Sequence, residues 1–175
     1  MLFNASDKWW DDQGKRNKPH QGLDVCLYRD RLGMIHRLGE KTKIPVSYDG
    51  TVVGMFHDFI GKSVIIEHGF TDSDNNRFCT IYGHTNPHRG LHVGRIVKEG
   101  DIIVSLADWN NSKAKTLSHL HISVGWASKY ISYDTLDWET IGDPNTFTLM
   151  DPLCILGSHY RVLKRMPFAP EFLFD

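Results

Sequence analysis

This sequence predicts a mainly β protein of antiparallel strands joined by long polar loops, and three observations carry that reading. From Gly22 onward, short apolar runs rich in Val and Ile alternate with turn signals of Gly, Asp and Asn. Helical spacing of apolar residues is scarce along the whole chain. The 175 residues are 41% hydrophobic and 23% charged, the balance of one globular domain able to close a core.

Residues 1–19 are polar and aperiodic, contain Gly14 and Pro19, and read as an irregular lead-in whose Trp9-Trp10 pack a loop onto the body. The expected strands are Leu23–Tyr28, Lys43–Val46, Thr51–Phe56, Ser63–His68, Arg77–Tyr82, Gly94–Val97, Ile102–Leu106 and His119–Trp126. Tyr48-Asp49-Gly50 and Lys98-Glu99-Gly100-Asp101 are turns between them. Leu27–Leu38 has spacing for one or two helical turns, weakened by Gly33 and its basic residues. Residues 71–76 and 108–118 are polar loops, the second leading directly into His119. The domain is expected to run from 20 to 156, and the aromatic and apolar tail 157–175 to pack across it, with no repeat and no second domain.

The net charge of -1 argues against a general nucleic-acid surface. No stretch approaches the roughly 18 apolar residues of a membrane helix, and no basic region followed by an apolar run marks a signal peptide at the start. Cys26, Cys79 and Cys154 are odd in number, widely spaced and flanked by apolar residues. They read as small buried hydrophobes, with one disulfide left open.

Two short stretches carry the chemistry. His20-Gln-Gly-Leu-Asp24 offers an imidazole and a carboxylate, and His119-Leu-His121 offers two imidazoles. On a strand, residues two apart share a face, so His119 and His121 project together while Leu120 and Ile122 point into a core. Pro19 and Gly22 disfavour a helix over 20–24, leaving a loop that enters a strand at Asp24. An aspartate between Leu23 and Val25 is costly to bury unless paired or metal-bound. Two His nitrogens and an Asp oxygen suit a borderline-soft divalent ion and leave a coordination position open for water. One histidine of the 119/121 pair then suffices as a ligand, and the other stands near enough to move a proton or steady an oxyanion. His84, at the end of Ile81-Tyr-Gly-His84, is a further candidate.

His20-Gln-Gly-Leu-Asp24, Val64-Ile-Ile-Glu-His-Gly69, Ile81-Tyr-Gly-His84, Val93-Gly-Arg-Ile-Val-Lys-Glu-Gly-Asp-Ile102 and His119-Leu-His121 occur in the order found in lysostaphin-type (LytM-like) zinc metallopeptidases, which the chain closely resembles from about residue 19 to 155. The resemblance implies a β-sheet or sandwich of the duplicated hybrid motif, with long loops forming a groove for extended peptide. It implies one zinc ion held by His20, Asp24 and His121, with His119 and His84 activating water and stabilising the oxyanion. The implied substrate is a peptide bond in peptidoglycan, in stem-peptide cross-links or glycine bridges, and the implied location is the cell envelope. Histidines in these roles must be partly neutral, so activity is expected to fall near pH 6.5 if their pKa values are unperturbed.

The approach Lys115-Thr-Leu-Ser118 lacks the glycines usual in the family, which bears on substrate preference. His68 matches a structural position. His88 and His92 read as solvated loop histidines, and His36, His57 and His159 as surface or packing residues. A non-catalytic module binding peptidoglycan or regulating a hydrolase through the same groove is the alternative reading. A lipoyl-type carrier is disfavoured by the lack of a lysine between small or acidic neighbours at a hairpin tip.

Overall fold

The computed structural model describes residues 1–8, 14–108, 117–156 and 160. Its strands are β1 (Leu23–Val25), β2 (Leu27–Arg29), β3 (Ile35–Arg37), β4 (Lys43–Pro45), β5 (Gly50–His57), β6 (Lys62–Thr71), β7 (Arg77–Pro87), β8 (Ile96–Val97), β9 (Ile102–Leu106), β10 (Leu120–Ala127) and β11 (Phe147–Met150). A 3-10 turn covers Tyr133–Thr135 and a single-turn helix, α1, covers Leu153–Leu156. Among the described residues no helix is long and apolar enough to cross a membrane.

One antiparallel sheet dominates, with the order β1-β10-β7-β6-β5-β8. Strand β11 pairs with the far half of β10, and β9 joins β4 to the end of β7. The central strands β6 and β7 are buried along most of their length because both of their faces are covered. Val64, Ile66, Tyr82 and Ile122 point into one core with Val52, Val104 and Leu106. Ile65, Cys79 and Ile81 point the other way, into a core completed by Leu136, Ile141 and Phe147.

Three of those residues show what covers the second face, since Leu136, Ile141 and Phe147 belong to or flank the segment after β10. A polar cluster fastens this segment to the sheet. The Tyr133 hydroxyl donates to Glu67 at 2.5 Å, and the Arg77 guanidinium lies 4.4 Å from the Tyr133 ring centre while donating to the Ser128 and Ile131 carbonyls. Strand and loop are thereby tied at three points within a few residues.

The expected strands are present with adjusted bounds. Leu23–Tyr28 is broken at Cys26 into β1 and β2, and the run expected over Gly94–Val97 is strand only at Ile96–Val97. Gly94 has φ +90° and makes a turn instead. Leu27–Leu38 is not helical. It forms the β2–β3 hairpin, because Asp30 Oδ1 accepts the Leu32 and Met34 amides and Gly33 supplies a positive φ, a turn geometry that overrides the weak helical spacing. Strand β11 had no clear pattern in sequence. All three cysteines are free, but only Cys79 is buried; Cys26 is half-buried and Cys154 exposed on the short α1, so burial fails for two of the three. Trp9-Trp10, most of the loop 108–118 and the tail from 157, except residue 160, lie outside the described residues.

Candidate metal centre

Strand pairing brings the two motifs together. The β1–β10 register sets Asp24 opposite His121 and Leu23 opposite Ile122, so the polar pair shares one face and the apolar pair enters the core on the other. His20 stands just before β1, where the first residues of the chain hold it. The His20 amide donates to the Ala5 carbonyl and the Asn4 amide to the His20 carbonyl, while Asp24 N–H donates to Met1 O. Gly22 lets this segment lie flat on β10: a Cβ there would stand 2.4 Å from the Ile122 carbonyl oxygen and 2.7 Å from His121 Nε2.

His20 Nε2, Asp24 Oδ1 and His121 Nδ1 form a triangle with every edge 3.0 Å. All three residues are buried. His20 Nδ1 is 3.0 Å from the Leu2 carbonyl, which can only accept, so Nδ1 carries the proton and Nε2 a lone pair. His121 Nε2 lies 3.1 Å from Ser123 Oγ, placed to accept its proton, which leaves the lone pair on Nδ1. Three electron-rich atoms thus converge out of reach of solvent, a costly arrangement unless a cation lies between them. The spacing fits one: bonds of about 2.0–2.1 Å to a tetrahedral ion put neighbouring ligand atoms about 3.3 Å apart.

His119 lies beside this triangle, its Nδ1 donating to the Leu117 carbonyl at 2.8 Å and its Nε2 3.7 Å from Asp24 Oδ1. It is one residue outside β10 yet keeps the orientation that strand alternation assigns it. Burial pushes His119 and His121 down to about 4, against the opposing pull of Asp24. The ordinary value near 6.5 expected for His119 therefore does not apply. Burial alone would raise the Asp24 carboxyl, but His121, His20 and His119 around it hold it well below the usual carboxylate range.

His84 arrives by another route. Alternation along β7 would send it to the same face as Tyr82, away from the site. Between the pairs Val64–Tyr82 and Lys62–Thr85, however, β7 has one more residue than β6. This is a β-bulge at Gly83-His84, and His84 adopts a left-handed φ of 60°. Its ring comes to 5.1 Å from that of His119 and 5.6 Å from that of His121, measured between centres. All five residues singled out in sequence are thus gathered in one buried cluster.

The profile of Peptidase family M23 matches residues 29–133. The chain belongs to peptidase family M23. The matched span of the M23 domain includes His84, His119 and His121 but not His20 or Asp24, whose place in the site rests on the geometry above. Among solved structures, the catalytic domain of the antimicrobial peptidase lysostaphin from Staphylococcus simulans is similar at a TM-score of 0.52 and 17% identity, covering 89% of each chain. Csd3 from Helicobacter pylori gives 0.44 and 19%, covering 88% of this chain and 35% of that one. The catalytic domain of the prophage-encoded M23 protein EnpA from Enterococcus faecalis gives 0.42 and 21%, covering 81% and 92%. The lysostaphin match bears out the lysostaphin-type fold. No curated protein matches significantly.

Around the M23 site lie residues that sequence reasoning missed. Trp138 packs edge-on against His121, ring centres 4.8 Å apart, and Phe59 packs edge-on against His84 at 4.6 Å. Asp58 sits behind His84 with its side chain fully buried. His68 is buried as expected, its Nδ1 donating to the Asp49 carbonyl and its Nε2 2.9 Å from Thr80 Oγ1. His57 and His92 are exposed and His36 pairs with Asp30 near the surface. His88 is half-buried and lines a cleft of about 630 Å³ with Lys62, Asp58 and Phe59. His159 lies outside the described residues.

Proposed function

We propose that this M23 protein is a zinc-dependent endopeptidase acting on peptide bonds of peptidoglycan, in stem-peptide cross-links or glycine bridges, and that it works in the cell envelope. The observation that carries the reading is the buried 3.0 Å triangle of His20, Asp24 and His121 with two further imidazoles beside it. Zinc in such a site supplies Lewis-acid polarisation of a carbonyl and a water acidic enough to attack at neutral pH.

The chain's own residues do the rest. His20, Asp24 and His121 would hold the ion, the two histidines orientated from behind, His20 by the Leu2 carbonyl and His121 by Ser123. His119 carries its proton on Nδ1, bonded to Leu117 O, so Nε2 is the basic atom that accepts a proton from the attacking water. Its lowered pKa keeps it neutral across the physiological range. His84 stands on the other side of His119, a second imidazole for taking up a proton of the attacking water and passing it to the leaving amine. Trp138 packs against the ring of His121, and the largely exposed Phe59 against that of His84.

The test is digestion of purified sacculi of several wall types, with and without chelator, read by mass spectrometry of released peptides. Chelator-sensitive release is expected, and the product masses name the bond. No release from any wall by zinc-loaded protein would overturn the enzymatic reading and favour a binding or regulatory module.

A further inference from the structure

We infer that Asp58 is a positioning residue for His84, holding both its left-handed backbone and its ring; the inference rests on the catalytic reading of His84 given above. Asp58 opens the turn between β5 and β6, where its Oδ1 accepts the amides of Ile60 and Gly61 at 3.0 and 2.8 Å. That is the ordinary work of an aspartate in a turn. Its second oxygen does something a turn does not need. Oδ2 accepts the His84 backbone amide at 2.8 Å and the Ser63 hydroxyl at 2.8 Å, and lies 3.4 Å from His84 Nδ1.

The placement answers two problems created by the bulge. The extra residue of β7 takes the His84 amide out of the β6–β7 ladder, and a buried amide without an acceptor is expensive. Asp58 is that acceptor. A left-handed conformation at a residue with a Cβ also costs roughly 1–2 kcal/mol and persists only where its surroundings impose it. The carboxylate imposes it, because the same oxygen receives the amide and faces Nδ1 of the same residue. With the Ile60, Gly61 and Ser63 donors fixing the carboxylate plane, the ring has one favoured setting, Nδ1–H toward Asp58, which leaves Nε2 for the reacting groups. Phe59, next in sequence, packs edge-on against the ring. One dipeptide, Asp58-Phe59, thus holds the histidine by its backbone amide and flanks its ring at Nδ1 and on one face.

The carboxylate is built to stay ionised. Burial alone would raise its pKa, but the His84 side chain, with the Gly61 and His84 amides, holds it below the usual range. An amide at this position, isosteric but carrying an NH2, cannot accept at both oxygens. It must turn a donor toward either the Ile60 and Gly61 amides or the His84 and Ser63 donors.

The test compares Asp58→Asn, His84→Ala and the double variant in zinc-loaded protein, with zinc stoichiometry and circular dichroism confirming the fold. Asp58→Asn is expected to lower kcat about 10²-fold with KM nearly unchanged, the effect of misplacing a reacting group. In the His84→Ala background the same change is expected to alter kcat by less than about 2-fold, because its route of action is already gone. Nitrogen-15 NMR of the ring, which needs no substrate, is expected to report an Nδ1–H tautomer for His84 in the wild type and its loss in Asp58→Asn. If Asp58→Asn folds poorly, Ser63→Ala, which removes one donor to the same oxygen, is expected to move kcat and the tautomer the same way by a smaller factor. Unchanged kcat and tautomer in Asp58→Asn or Ser63→Ala, while His84→Ala is inactive, would overturn the inference alone. A fully active His84→Ala would instead remove the catalytic reading on which it rests.

Discussion

Gly22 sits between two proposed ligands, His20 and Asp24, and its replacement by alanine tests whether the site depends on how closely its two segments approach. A Cβ at this position would stand 2.4 Å from the Ile122 carbonyl oxygen, 2.6 Å from Ser123 Oγ and 2.7 Å from His121 Nε2. Ordinary contact begins at 3.4 Å, so the loop and β10 must separate by about 1 Å. Ile122 cannot yield, because that oxygen is backbone within the sheet and its side chain is in the core. The separation therefore falls on the segment carrying His20 and Asp24 or on the His121 ring and its Ser123 bond. Metal–ligand distances tolerate only about 0.2 Å. A Gly22→Ala protein is thus expected to bind zinc about 10–100-fold more weakly, and to lose about 1–3 kcal/mol of stability through overpacking. Competition with a chromogenic chelator measures the first and thermal denaturation with excess chelator the second. Gly69→Ala is the control, since nothing lies within 4 Å of a Cβ there. A Gly22→Ala protein with wild-type zinc affinity and melting temperature would refute the argument.

Other outcomes follow from the same geometry. His20→Ala, Asp24→Ala and His121→Ala are each expected to lose zinc, measured by metal analysis after dialysis, whereas His119→Ala and His84→Ala keep it and lose roughly 10²–10⁴-fold in rate. If His119→Ala loses zinc and His121→Ala retains it, the assignment within the pair is reversed. Burial lowers the pKa of His68, so the folded state holds it neutral while the unfolded chain takes up a proton as pH falls through about 6.5. Its contribution is complete above that pH and is lost below it. Thermal melts of His68→Asn should accordingly depend less on pH between 7.5 and 5.5 than those of the wild type. Tyr133→Phe removes the donor to Glu67 and is expected to cost about 1–2 kcal/mol, reduced from the value of a buried bond by partial exposure, in denaturant melts. Zinc stoichiometry should not change.

The sequence showed most clearly what period-two geometry controls. His119 and His121 on one face with Leu120 and Ile122 on the other needs only the pleat of a strand, and Asp24 among apolar neighbours needs only the cost of a buried charge. His84 is different. Alternation misdirects it, and only the family resemblance pointed to it; the bulge that re-aims it leaves no local signal beyond the preceding Gly83. Asp58 was hidden because it has a sufficient local role, capping its own turn, while the oxygen that matters reaches a residue 26 positions on. Trp138 lies in a segment with no periodicity, anchored by contacts between Tyr133, Glu67 and Arg77 that are distant in sequence. The hairpin over 27–37 carries weak helical spacing in its sequence, but Asp30 and Gly33 dictate a reversal.

Strand β1 is only three residues long and ends the sheet, joined to β10 by three pairs. Such a margin peels easily, and the first residues of the chain, bonded to His20 and Asp24, would leave with it. An ion shared by His20, Asp24 and His121 would close a ring across 101 positions of sequence and clasp that margin to the body. Metal supply would then govern survival as well as rate. In zinc-poor surroundings the molecule would not wait idle and intact; its opening segment would become the point at which other proteases enter.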